Sequence, residues 1–199
     1  SALDYLIKTQ PDTGGYSYEG GGEDSSISGW CFMALKSGRI CGLDVPDSSF
    51  EKMRRFLTDI HRPDGFSTYR TSNRDSGGEA TTAIALFCRI FLGWEKDDEM
   101  VAKPAELVNR HGVHLDNLYY NYYATLSMFQ MGGDMWTDWN KNFRDPILAK
   151  QEGKDNEELS GSWPTDTTWA PQGGRVYTTA MAILSLEVYY RFLPFYRAE

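Results

Sequence analysis

Thr9-Gln10-Pro11-Asp12-Thr13-Gly14-Gly15-Tyr16-Ser17-Tyr18 returns further along the chain as His61-Arg62-Pro63-Asp64-Gly65-Phe66-Ser67-Thr68-Tyr69. A later version starts at Gln151 and, after a charged insert, closes with Ser160-Gly161-Ser162-Trp163-Pro164. Each stretch sets a polar residue, then Gly, then an aromatic, ahead of an apolar run. Gly permits a sharp turn, and the aromatic can plug the gap between neighbouring hairpins. The separations Tyr16 to Ala34, Phe66 to Ala85 and Trp163 to Ala182 are nearly equal, as expected of a repeated supersecondary unit. A further copy, around His111 to Tyr120, reads as degenerate.

Helical periodicity dominates on either side of these turns, with almost no strand signal. Four segments are apolar on nearly every side: Ile27 to Cys41, Glu79 to Leu92, Tyr119 to Met131 and Tyr177 to Leu193. Such helices must be buried all round. Between them lie amphipathic segments. Asp47 to Ile60 carries Phe50, Met53, Phe56, Leu57 and Ile60 on one stripe, and Asp134 to Lys150 carries Trp136, Trp139, Phe143 and Ile147. Ala2 to Lys8 and Asp97 to Asn109 are of the same type, the latter kinked or restarted at Pro104. The two kinds alternate four times. This predicts an all-α protein of about four outer–inner helix hairpins, with buried helices inside and amphipathic ones covering them.

The chain of 199 residues carries 20 Lys and Arg against 28 Asp and Glu, a net charge of −8, with 41% hydrophobic and 14% aromatic residues. That is ample for a packed core and reads as one domain, 1–199. The acidic balance argues against nucleic acid as a partner. No uncharged apolar run approaches the roughly 20 residues of a membrane span. The chain opens on helix-forming residues, without an initiator Met or a signal, and is read as the C-terminal part of a longer protein whose localisation signals, an envelope anchor among them, would lie upstream. Cys31, Cys41 and Cys88 lack zinc or disulfide spacing and sit among apolar neighbours, which makes them small core residues.

The turns resemble the Gln-x-x-x-Gly-x-Trp repeat of the prenyltransferase and squalene-cyclase superfamily, with Tyr16 and Phe66 in place of Trp in the first two copies. The resemblance covers essentially the whole chain. It is most specific at Ser28-Gly29-Trp30, at Ala124-Thr125-Leu126-Ser127-Met128-Phe129-Gln130 and at Gly173-Gly174-Arg175-Val176-Tyr177-Thr178-Thr179-Ala180. The whole is similar to squalene-cyclase-like repeat proteins of planctomycete-type bacteria. The resemblance implies an α/α toroid, partial or open given four pairs.

The superfamily's chemistry is not written in this chain. A terpene cyclase has an Asp-x-Asp-Asp acid, which is absent; Asp166 in Pro164-Thr165-Asp166-Thr167-Thr168-Trp169 is the nearest lone substitute, otherwise a turn former. A protein prenyltransferase holds zinc through Asp-x-Cys and a distant His, and no Asp-x-Cys occurs. His111 and His114 flank Gly112-Val113 without a third ligand nearby in sequence. The Gly-Cys-Gly-Glu-Gln of thioester domains is departed from at Cys41-Gly42-Leu43-Asp44. Polysaccharide lyases on related toroids neutralise carboxylates with cations, a role open to Arg70, Arg74 and Arg175. No metal and no organic cofactor is expected.

The sequence leaves an aromatic ring mouth with a few charges. Tyr16, Tyr18, Tyr69, Tyr119, Tyr120, Trp163, Trp169 and Tyr177 stand in or beside the long turns, where they either bind a ligand or plug the hairpins together. Asp24 and Glu79 open inner helices, as caps or dipole partners. Arg175 opens another, where a cation is unfavourable, and so calls for a carboxylate partner or an anionic ligand. The expected ligand set is therefore Tyr18, Asp24, Tyr69, Arg70, Tyr119, Tyr120, Trp163, Trp169, Arg175 and Tyr177. The expected function is binding of a small isoprenoid or carbohydrate, or of a protein, in the concave centre. An enzyme acting on an isoprenoid or polysaccharide is the alternative.

Overall fold

The computed structural model describes residues 1–18, 23–153, 155 and 157–191; the side chains of Arg74 and Arg191 also lie outside the described set. The predicted helices are present with shifted ends: α1 (Ala2–Thr9), α2 (Ser25–Ile40), α3 (Asp47–Asp59), α4 (Glu79–Phe91), α5 (Glu99–His111), α6 (Leu118–Met131), α7 (Gly133–Ala149), α8 (Ala170–Leu186) and the short α9 (Val188–Arg191). The end of the last apolar run, 192–193, lies outside the described residues. The chain is mostly helical. Among the described residues no helix is long and apolar enough to cross a membrane.

Two compact units divide the chain, Ser1–Leu107 and Val108–Glu199. In the first, α2 packs against α1 and α4, and α3 packs against α4. In the second, α7 and α8 both pack against α6, and α9 packs on α6 and α8. The amphipathic helices α3, α5 and α7 bury an apolar stripe: Met53, Phe56 and Leu57 on α3, Val101, Ala105 and Val108 on α5, and Trp139, Phe143 and Ile147 on α7; Phe50 and Trp136 of the expected stripes are only half-buried, and α1, expected to be of the same kind, has no buried residue. Each such large side chain contributes about 1.5–3 kcal/mol by leaving water. Helix starts are set by local caps: the Ser1 hydroxyl accepts from Asp4 N at 3.2 Å, Asp24 caps α2 and Asn117 caps α6.

Three expectations need correction. First, α4 and α6 are buried around nearly their whole circumference, but α2 and α8 are not. In α2 the buried residues Ser25, Ser28, Phe32, Leu35 and Gly38 keep to one side, while Trp30 is 39% and Ile40 38% exposed. In α8, Val176 is 83% and Ile183 44% exposed. Second, a two-stranded antiparallel hairpin, β1 (Thr68–Arg70) with β2 (Asn73–Gly77), precedes α4. It lacks apolar alternation. Its turn is held instead by side chains, with Ser76 Oγ donating to Asn73 O at 2.6 Å and Asp75 N donating to Asn73 Oδ1 at 3.1 Å. Third, Cys41 is exposed at the end of α2 rather than in the core, whereas Cys88 is buried and Cys31 half-buried. Pro104 lies inside α5, and α8 is interrupted at Gly174 (φ 62°).

Candidate functional site

The four turns that lead into α2, α4, α6 and α8 are built on the same bonds. Each holds a left-handed glycine: Gly14 (φ 101°), Gly65 (90°), Gly112 (76°) and Gly161 (81°). Gly14 tolerates nothing larger, since a Cβ there would stand 1.8 Å from Lys52 O. Two residues after each glycine come Tyr16, Ser67, His114 and Trp163. Their backbone N–H groups donate to Ser28 Oγ (2.8 Å), Thr82 Oγ1 (3.0 Å), Asn121 Oδ1 (3.1 Å) and Thr179 Oγ1 (3.1 Å), each on the helix that follows. Their carbonyls accept from Ser28 Oγ (3.4 Å), Thr81 Oγ1 (2.7 Å), Asn121 Nδ2 (2.6 Å) and Thr178 Oγ1 (3.1 Å). The turn around His111, degenerate in sequence, thus keeps the same bonding. In the second turn it is Ser67, not Phe66, that stands where the other turns place Tyr16 and Trp163.

Side chains complete the frame. Helix C-termini leave carbonyls without intrahelical donors. The Tyr16 hydroxyl donates to Leu6 O at 2.9 Å, and the Trp163 indole donates to Ile147 O at 2.7 Å. At the second turn Ser67 is too short, and Arg89 Nη2 donates to the equivalent Leu57 O at 2.7 Å. The glycine carbonyl is met by Gln10 Nε2 (3.1 Å) and Gln151 Nε2 (2.9 Å); at Gly112 the Tyr120 hydroxyl takes this place at 3.0 Å. Trp163 and Tyr120, expected in a ligand set, are 3% and 1% exposed and bonded within this frame.

Of the remaining expected residues, Tyr18, Asp24, Tyr69 and Arg70 come together in the first unit. The backbone at Asp24 bridges antiparallel to both Tyr16 and Arg70, which ties the start of α2 to β1. Asp24 is fully buried; its Oδ1 accepts from Ile27 N at 2.8 Å, while Oδ2 has no hydrogen-bond partner among the described residues. The buried Ser25 Oγ and Arg70 Nε are likewise without a hydrogen-bond partner among the described residues. The Arg70 guanidinium lies 5.7 Å from the centre of the Tyr69 ring. Burial, and next the Asp24 charge with Tyr18, push the Tyr69 phenol up, and a hydrogen bond to the Asp24 carboxylate adds to this, with Arg70 acting the other way. Burial and Asp24 also push the nearby Cys31 thiol up to about 11, which keeps its thiolate fraction small near neutrality. Tyr18 is 66% exposed at the edge of the cluster.

The second unit holds the others. Arg175 Nη1 donates to Trp163 O at 3.0 Å and Ser162 Oγ at 3.1 Å and pairs with Glu152 at 3.4 Å, so its carboxylate partner is internal. Tyr177, beside Tyr119, has a buried hydroxyl without a hydrogen-bond partner among the described residues, and burial pushes it up to about 12. Trp169 is exposed. Asp166 pairs with Lys150 at 2.8 Å, and that hydrogen bond holds its pKa below the ordinary carboxylate value, the reverse of what a protonating acid needs. Asp24 caps its helix as expected; at α4 the cap contact comes from Thr81, whose Oγ1 accepts from Gly78 N at 2.9 Å. Arg74 lies outside the described side chains. Among the described residues no three His, Cys, Asp or Glu are placed to hold a metal ion. Searches of protein-family models, curated proteins and solved structures found no match for this chain.

Proposed function

We propose that the chain is a helical-hairpin domain of the prenyltransferase and squalene-cyclase kind, its four hairpins belonging to an α/α toroid, and that it binds a small ligand at the Tyr18–Asp24–Tyr69–Arg70 cluster. The shared bonding of the four turns supports the first part. Gln10 and Gln151, the two turn glutamines, each brace a glycine carbonyl, and Tyr16 and Trp163 each tie a turn to the preceding helix. This gives the Gln-x-x-x-Gly-x-Trp pattern a physical reason. The observation that carries the second part is Oδ2 of the fully buried Asp24, which has no hydrogen-bond partner among the described residues, with Arg70 Nε on the neighbouring strand in the same condition. A buried polar atom left unsatisfied costs about 1–3 kcal/mol, and more when charged. Such atoms mark places where function outweighs stability. The ligand then presents a hydrogen-bond donor to Asp24 and an acceptor to Arg70.

The test is a titration of the whole chain with small probes bearing ammonium, hydroxyl or carboxylate head groups, with and without an isoprenoid tail, followed by amide NMR. Asp24→Asn retains a helix cap and removes the charge; Arg70→Ala removes the facing donor. Saturable shifts at Tyr69 and Asp24, weakened roughly tenfold or more in both variants with unchanged melting, support the reading. The absence of any probe response at Tyr69 and Asp24 refutes it. Turnover of squalene or a prenyl diphosphate would replace binding with catalysis.

A further inference from the structure

The second unit carries a cleft of ≈ 410 Å³ between the end of α5, the turn after it and α7, lined by Asn109, His111, Val113, His114, Asp138 and Asn142 with Trp139 beneath. Its volume lies within the few-hundred-Å³ range of small-molecule pockets. One wall is a fixed imidazole pair. The His111 and His114 rings stack with centroids 4.1 Å apart and planes at 26°. Tyr120 backs them edge-on at 5.1 Å from His111, and its own hydroxyl is anchored on Gly112 O at 3.0 Å. A His114 Nε2 contact with His111 O at 3.1 Å fixes the second ring. The opposite wall is one turn of α7. Asn142 Nδ2 donates to Asp138 O at 2.8 Å, which fixes the amide and leaves its Oδ1 as an acceptor. The carboxylate of Asp138 and the amide of Asn109 make no hydrogen bond or ion pair among the described residues. The base is Trp139, 2% exposed, its N–H spent on Thr125 Oγ1 at 3.0 Å.

We propose that this cleft binds a neutral saccharide. Carboxylate, carboxamide and imidazole groups offer donors and acceptors side by side in fixed planes. Sugar hydroxyls donate and accept at once, and a sugar ring also has a C–H face for aromatic surface. A purely apolar ligand would strand the Asp138 carboxylate and the Asn109 amide. An anion would face the Asp138 charge, and the metal alternative lacks a ligand triad among the described residues. The cleft shares no residue with the Asp24 cluster.

The experiment is amide NMR titration of the whole chain with cellobiose, maltose and lactose, alongside choline and inorganic phosphate as controls. A saturable response at His111, His114 and Asp138 to at least one disaccharide, with a dissociation constant in the millimolar range and no such response to choline or phosphate, is expected. Asp138→Ala and Asn142→Ala, both on exposed positions, should each weaken it about tenfold, the equivalent of one lost hydrogen bond. Asp24→Asn should leave it unchanged, so failure at one site is distinguishable from failure at the other. No disaccharide response, an equal response to choline or phosphate, or binding indifferent to both α7 variants overturns the proposal.

Discussion

Arg89 is fully buried and forms no ion pair with a carboxylate among the described residues; it is held by three oxygens. Nη2 donates to Leu57 O at 2.7 Å, and Nη1 to Met100 O at 3.2 Å and Ser67 Oγ at 3.4 Å. Both carbonyls lack an ordinary helical donor. Leu57 O is in the last turn of α3, where His61 N turns instead to Thr58 O at 3.2 Å. Met100 O lies four residues before Pro104, which has no N–H to give. Arg89 thus closes the end of one helix and the gap in another, and burial pulls its pKa down to about 10. Arg89→Met keeps most of the volume and strands both carbonyls. Each stranded carbonyl costs about 1–3 kcal/mol, partly offset because a desolvated charge is removed. We expect a net loss of about 2–4 kcal/mol, read as a fall of roughly 5–15 °C in melting temperature for a chain of this size. Pro104→Ala restores an N–H to Met100 O. In that background Arg89→Met should cost about 1 kcal/mol less, measured by urea denaturation in a double-mutant cycle. An Arg89→Met protein as stable as the parent, or the same loss in both backgrounds, would refute the assignment.

Trp163→Phe, which keeps most of the ring and loses only the bond to Ile147 O, should destabilise by about 1 kcal/mol, and Trp163→Ala by about 3–5 kcal/mol, in the same denaturation assay. In a thiol-labelling experiment Cys41 should react at once, Cys31 slowly, and Cys88 only on unfolding, following their exposure and the upward push of burial on the last two. Asp166→Asn should cost under about 1 kcal/mol at neutral pH, as expected of an exposed pair. Because the folded pKa of Asp166 is depressed, the pair's contribution is present above the ordinary carboxylate value of about 3.9 and fades as pH falls through the lower folded value. Denaturation of parent and variant at pH 7 and at low pH checks this, and a difference growing towards acid would contradict it.

Helix existence was legible because burial writes its period directly into the chain: the 139, 143, 147 spacing of α7 needs no further context. The β1–β2 hairpin was not legible, because polar side-chain bonds at Asn73 and Ser76 hold it rather than an alternating face. The turn at Gly112 looked degenerate because Tyr120 and Asn121 perform there what Gln10 and Ser28 perform in the first turn, and different chemistry making the same bond leaves no pattern to match. In the second turn a distant arginine stands in for a missing aromatic, a substitution visible only once Ser67 and Arg89 are adjacent in space. The candidate residues fared similarly. Asp24 and Arg70 each carried a signal, but their meeting depends on a strand the sequence did not announce. The exposed polar positions of the α7 cleft followed no rule beyond solvation.

The backbone clamps in the turns bear on how this chain opens. Loop amides ordinarily exchange with solvent deuterium far sooner than those of core helices. Here the N–H groups of Tyr16, Ser67, His114 and Trp163 are each held by a side chain rooted in the helix that follows. Those four protons can leave only when the turn lifts away from that helix, so they should persist alongside the slowest helical amides of their own unit, long after the neighbouring loop positions have gone silent.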